Sequence, residues 1–241
     1  MILASAQICS AQGEIQANLQ THYRLINEAA RKGAQLITFP EMSLTGYERK
    51  NAQTLAFQKD DARLEGLQKL SSEHGIIIIA GAPIKLENEL FIGSFILSPN
   101  QPISIYTKQF LHEGEDEFFS SSFSFNPQLK LEEEQLSLAI CADIDHAVHA
   151  NAACEAGSSI YLPSIFFTTN GIGEGHKLLQ GYSQKHQLAV LMSNYCGEAW
   201  GYEAGGRSAF WNEKGELLGE LDSQEEGLLV VEKREGIWEK K

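Results

Sequence analysis

The chain has 241 residues and carries 19 Lys and Arg against 32 Asp and Glu, a formal net charge of −13. That length suits one large domain with its own buried core, and a chain this acidic has no general pull toward nucleic acid or anionic membranes. Hydrophobic residues are 43% and charged residues 21%, a globular balance that excludes disorder as the main state.

Strands and helices alternate along the chain. Ile2, Ala4, Ala6 and Ile8 alternate over residues 2–8 and predict a buried strand. No basic segment precedes them, so this stretch is not read as a secretion signal. Residues 16–32 predict a helix, with Leu19, Tyr23, Ile26 and Ala30 at helical spacing and Gly33 at its end. The run 34–39 is a strand, 62–74 a second amphipathic helix closed by Gly75, and 76–84 a β-branched strand. Residues 89–97 and 102–108 predict two more strands around a Ser98-Pro99-Asn100 turn. The second half repeats the theme: strands at 135–140, 158–163 and 188–194 alternate with helices at 146–156 and 175–187. Three closing strands are expected at 207–211, 215–221 and 227–233, the first two joined at Asn212-Glu213-Lys214. No linker divides the chain, so residues 1–241 are expected to form a single layered α/β domain with mixed sheets.

No run of about 18 apolar residues occurs, so no membrane helix is expected. The four cysteines, Cys9, Cys141, Cys154 and Cys196, are too few and too scattered for a disulfide framework. Free thiols without a signal segment point to a cytoplasmic protein.

Three reactive side chains stand just past the ends of apolar strands, where α/β sheets bind ligands. They are Glu41 in FPEMSLTGY, Lys108 in YTKQFLHEGE with Glu115 seven residues on, and Cys141 in LAICADID. A thiolate is the nucleophilic form of cysteine, so Cys141 requires a base or a lowered pKa. Glu41 is suited to take the proton, and the start of the helix predicted after Cys141 would favour a negative sulfur. Lys108 and the backbone N–H of Ala142 are suited to hold an oxyanion. Tyr47, Ser164, Phe166 and Phe167 are further candidates for the pocket wall, and Asp143 reads as a helix-start residue. The acidic loop 112–117 reads as a solvated loop, with attraction of a cationic substrate as the alternative. Cys141, His146 and His149 form a competing zinc-site reading, weakened by the lack of any CxxC.

Together these segments resemble the three signatures of the nitrilase superfamily, the carbon–nitrogen hydrolases, in the order Glu, Lys, Cys. Asn194 and the following YEAGGRSAFWNEKGELLGEL resemble the C-terminal part of that family, so the likeness spans roughly residues 2–232. It implies a four-layer α-β-β-α sandwich, a Glu41–Lys108–Cys141 triad with Glu115 as the second glutamate, a homodimer, and hydrolysis of a small-molecule amide without cofactor or metal. The amide-cleaving branches fit better than true nitrilases. The expected reaction is cleavage of a small linear amide, ω-amide or N-carbamoyl compound through a thioester. The segment after Cys141, IDHAVHANAA, lacks the Phe-Pro-Glu element and the arginine that many members carry. A catalytically silent relative that binds small molecules or proteins is therefore the alternative.

Overall fold

A computed structural model describes residues 1–241. The first half builds β1 (Ile2–Gln7), α1 (Ile15–Arg31), β2 (Leu36–Thr38), the short α2 (Ala52–Leu55), α3 (Glu65–His74), β3 (Ile77–Leu86), β4 (Glu89–Leu97) and β5 (Ser104–Thr107). The second half builds β6 (Leu129–Leu131), β7 (Glu134–Ile140), α4 (Ala147–Glu155), β8 (Ile160–Ser164), α5 (Ile172–His186) and β9 (Ala189–Leu191). It continues with β10 (Glu198–Ala199), β11 (Tyr202–Glu203), β12 (Ala209–Trp211), β13 (Leu217–Glu220), β14 (Gly227–Arg234) and β15 (Ile237–Lys240).

Two large sheets result. One has seven strands in the order β15-β14-β1-β2-β3-β4-β5, and the other six in the order β13-β12-β9-β8-β7-β6. In each, three central strands run parallel and antiparallel strands flank them. Strands covered on both faces read as continuous apolar runs, because neither face meets water. β3 shows how the faces are divided. Ile78, Ala80 and Ala82 pack with Leu25, Ile26 and Leu67 under α1 and α3, whereas Ile77 and Ile79 meet the second sheet through residues such as Leu138 and Leu162. On the far side, Ala139, Tyr161 and Val190 pack with Leu179 and Tyr182 of α5. Helices, sheet, sheet and helices therefore stack as four layers, as the resemblance implied.

The amphipathic faces of α1 and α3 drive this stacking. Gly75 closes α3 in the left-handed conformation at φ +65°, which glycine adopts without a Cβ clash. Four elements lie outside the predicted set: α2, β6, the β10–β11 hairpin and the edge strand β15. The first helical turn predicted at 62–64 is a 3₁₀ turn, and α5 begins three residues earlier than expected, at Ile172. No helix is long and apolar enough to cross a membrane.

Candidate active site

The candidate residues meet where loops leave the strand ends of both sheets. Glu41 follows β2 in a turn closed by Ser43 N donating to Pro40 O at 3.2 Å. β3 passes directly beneath that turn at Gly81. A Cβ there would lie 2.4 Å from Met42 N and 2.7 Å from Pro40 O, so only glycine fits. Tyr195 adds a hydroxyl hydrogen bond to the carbonyl of Glu41 at 2.5 Å. Lys108 follows β5, and Cys141 stands where β7 gives way to the 3₁₀ turn Cys141–Asp145. Cys141 has φ +40°. A non-glycine residue in that region is strained, a state found most often at functional sites.

Lys108 is fully buried between two buried carboxylates. Its Nζ donates to Glu41 Oε1 at 2.7 Å and to Glu115 at 2.8 Å. Glu115 is held in turn by the Tyr47 hydroxyl at 2.5 Å and by His112 N at 2.7 Å. Burial alone would lower Lys108, yet Glu41, Cys141 and Glu115 outweigh it and push the ammonium up, so it stays charged. Burial is also the main force on Glu41, and against the pull of Lys108 it raises the carboxyl to about 7. Its second oxygen, Oε2, is buried and has no nitrogen or oxygen partner. That oxygen is the carboxylate's unspent acceptor, and Cys141 opens onto the same cleft.

One expectation about the nucleophile is overturned. α4 starts only at Ala147, with the 3₁₀ turn between it and the sulfur. No helix N-terminus lowers Cys141. Burial and the nearby Glu41 raise its thiol well above the ordinary value, so the resting sulfur keeps its proton.

A cleft of about 340 Å³ opens onto Cys141 and Glu41 and is walled by Tyr47, Phe166, Trp200 and Arg49 among others. Not every wall candidate reaches it. Ser164 lies between the sheets, 3.4 Å from the Thr38 hydroxyl, and Phe167 packs against the α5 backbone at Gly175. The Ala142 side chain is buried outside the cleft lining. The three proposed zinc ligands do not form a donor cluster. His146 stacks on Phe110 with ring centroids 3.9 Å apart, and His149 bonds to the Tyr106 and Tyr161 hydroxyls at 2.8 and 2.7 Å. The acidic loop 112–117 is not a uniform solvated face, because Glu115 is buried on Lys108 and Glu113 lines the cleft.

Asp143 is more than a helix-start residue. Its Oδ1 accepts from Gln109 N and Phe110 N, both at 2.9 Å, directly after Lys108. Its Oδ2 accepts from Ile140 N at 2.9 Å, directly before Cys141, and from the Tyr106 hydroxyl at 2.6 Å. One buried carboxylate thus ties the lysine segment to the cysteine turn. An amide has only one acceptor oxygen, so Asp143→Asn turns an NH₂ toward donors on one side. This variant is expected to lose about 1–3 kcal/mol of stability, read as a lower urea midpoint with an unchanged slope. A midpoint equal to wild type would remove the anchoring role.

Arg49, Trp200, Tyr202 and Thr168 line the cleft but escaped the sequence reading. The available signal was the glycine cluster at 197–206, which marks a loop beyond β9 at the same end of the sheet.

The family profile of the carbon–nitrogen hydrolases matches residues 2–235. The chain belongs to that family. A 2-oxoglutaramate amidase of Bacillus subtilis is 25% identical over 208 residues, covering 85% of this chain and 80% of its own. An omega-amidase of Bos taurus is 25% identical over 242 residues, covering 93% and 85%. Among solved structures, a mutant amidase from Nesterenkonia sp. AN1 superposes with a TM-score of 0.88 at 26% identity, covering 96% of this chain and 92% of that one. It shows acrylamide added at its active-site cysteine. The carbon–nitrogen hydrolase fold expected of this family is the one the chain adopts.

Proposed function

We propose that this carbon–nitrogen hydrolase is an amidase that opens a small linear amide through a Cys141 thioester. The observation that carries the reading is the buried, unpartnered Oε2 of Glu41 beside a thiol that rests protonated. As sulfur attacks the amide carbon, the thiol proton passes to Glu41. Lys108, with the backbone N–H of Ala142, holds the oxyanion. Glu41 then gives its proton to the leaving amine. Water enters, Glu41 takes its proton, and the acid is released with the thiol restored. Glu115 and Tyr47 keep Lys108 aimed. Intact-mass measurement during turnover of a small ω-amide tests this: an acyl adduct is expected on the wild type and absent from Cys141→Ala. Ammonia release that persists in Cys141→Ala would overturn it.

The cleft supports a narrower reading, an ω-amide whose far end carries a carboxylate. Arg49 is the one Lys or Arg lining the cleft. Its guanidinium lies 3.8 Å over the Trp200 ring, which fixes its plane, and its Nε is buried without a partner. It forms no ion pair with any of the 32 acidic residues. Its Nη1 makes only a long hydrogen bond to Glu113 O at 3.5 Å, and a guanidinium so lightly engaged suits a planar carboxylate. Arg49→Met is expected to raise KM for a carboxylate-bearing amide about 10- to 100-fold with kcat little changed. Neutral amides should be nearly unaffected, and an equal loss on both would count against the assignment. Light scattering tests the homodimer that the family resemblance implies.

A further inference from the structure

Two of the four cysteines stand side by side outside the catalytic cluster. Ile8 and Tyr195 pair as a parallel bridge, and Cys196 N donates to Ile8 O at 3.0 Å. Cys9 and Cys196 are therefore the next residues on two adjacent segments running the same way. Neighbouring strands lie about 4.7–4.9 Å apart, within the range of about 4.4–6.8 Å that a disulfide spans between Cα atoms. The Cys9 sulfur is turned toward the partner segment, 3.1 Å from where a β-carbon on Gly197 would sit. The other two thiols face elsewhere: Cys141 toward Phe166 O and Cys154 toward His186 O.

We propose that Cys9 and Cys196 are a redox modification site, closed to a reversible disulfide by hydrogen peroxide and fastening one wall of the substrate cleft. This is independent of which amide the enzyme cleaves. Cys9 is exposed and Cys196 buried, which sets the order of events. Peroxide in solution reaches the exposed Cys9 first, so Cys9 is the attacking sulfur. Its thiolate breaks the O–O bond, becoming a sulfenic acid while the departing hydroxide takes up the thiol proton as water. The Cys196 sulfur then displaces the sulfenic hydroxyl. The S–S bond forms, and the hydroxyl leaves with the Cys196 proton as a second water. Two thiols lose two hydrogens and two electrons in all, and one peroxide is reduced to two waters.

The consequence follows from what Cys196 leads into. Directly after it come Gly197 and the β10–β11 hairpin, whose Trp200 and Tyr202 line the cleft. A bond from Cys196 to Cys9 pins the root of this hairpin to the end of β1.

The test uses the full chain carrying Cys141→Ser, so that the nucleophile does not compete for peroxide. After stoichiometric hydrogen peroxide, unreduced peptide mapping should show a Cys9–Cys196 cross-link and a thiol titre lower by two, both reversed by dithiothreitol. In Cys196→Ser on the same background the cross-link should vanish, and dimedone should trap Cys9 as sulfenic acid. Oxidation should also slow amide hydrogen exchange severalfold across residues 197–204. The proposal is overturned if Cys9 advances to sulfinic or sulfonic acid while Cys196 stays a free thiol, or if Cys9 bridges to Cys154 of a second copy. Unchanged exchange in the cross-linked protein would remove the fastening of the cleft wall.

Discussion

Glu41→Gln is expected to lower kcat about 10²- to 10⁴-fold, the usual range for a positioned general base, while the protein stays folded. Glutamine keeps the shape and can still accept from Lys108 at 2.7 Å, but it cannot take the proton of Cys141. Because burial raises Glu41 to about 7, the wild type also carries a pH signature. The base must be ionised, so kcat/KM should rise with pH through about 7 and fall away below it. With an ordinary glutamate the same limb would lie near pH 4.5. Glu41→Gln should retain slow activity with that limb lost. A pH profile flat between 5 and 8 in the wild type would assign the proton transfer to another group.

Lys108→Met should be costly in two separate ways. The substitution leaves Glu41 and Glu115 buried around an apolar side chain, each having lost the donor at 2.7–2.8 Å. Removing one partner of a buried ion pair typically costs about 3–5 kcal/mol. Here part of that cost is relieved, because the paired carboxylates can take up a proton. The stability loss should therefore grow as pH rises and the carboxylates ionise, and shrink in acid. Turnover should fall by a further 10²- to 10³-fold or so, the usual cost of removing one oxyanion donor. Thermal melts at pH 5 and pH 8 separate the two effects. A stability loss independent of pH would mean that Lys108 contributes packing rather than charge compensation.

The strands were legible because burial on both faces leaves uninterrupted apolar runs such as Ile76-Ile77-Ile78-Ile79. Glu41, Lys108 and Cys141 were legible because each follows such a run. β6 spans three residues with Lys130 at its centre, and β15 reads IWEK. Neither pattern separates a strand from a polar loop. Phe166 lines the cleft while its neighbour Phe167 packs on α5 at Gly175, and the two identical residues carry no mark of that division in the sequence. Asp143 was invisible for another reason. Its partners are main-chain N–H groups at 109, 110 and 140, and a sequence does not say which amides converge. Arg49 is defined by the carboxylates that fail to reach it, which is a property of the folded surroundings.

Glu41, Lys108 and Glu115 hang from one sheet, and Cys141, Phe166 and Asn194 from the other. The proposed reacting atoms therefore face each other across the sheet–sheet seam, and nothing within either sheet alone fixes their separation. Side chains in the seam such as Leu138 and Leu162, which take no part in the chemistry, act as spacers for it. Thinning one of them lets the two halves settle by fractions of an ångström, enough to cost a reaction its alignment while every strand remains paired. The enzyme thereby serves as a gauge of its own interior: its rate should fade before its circular dichroism does.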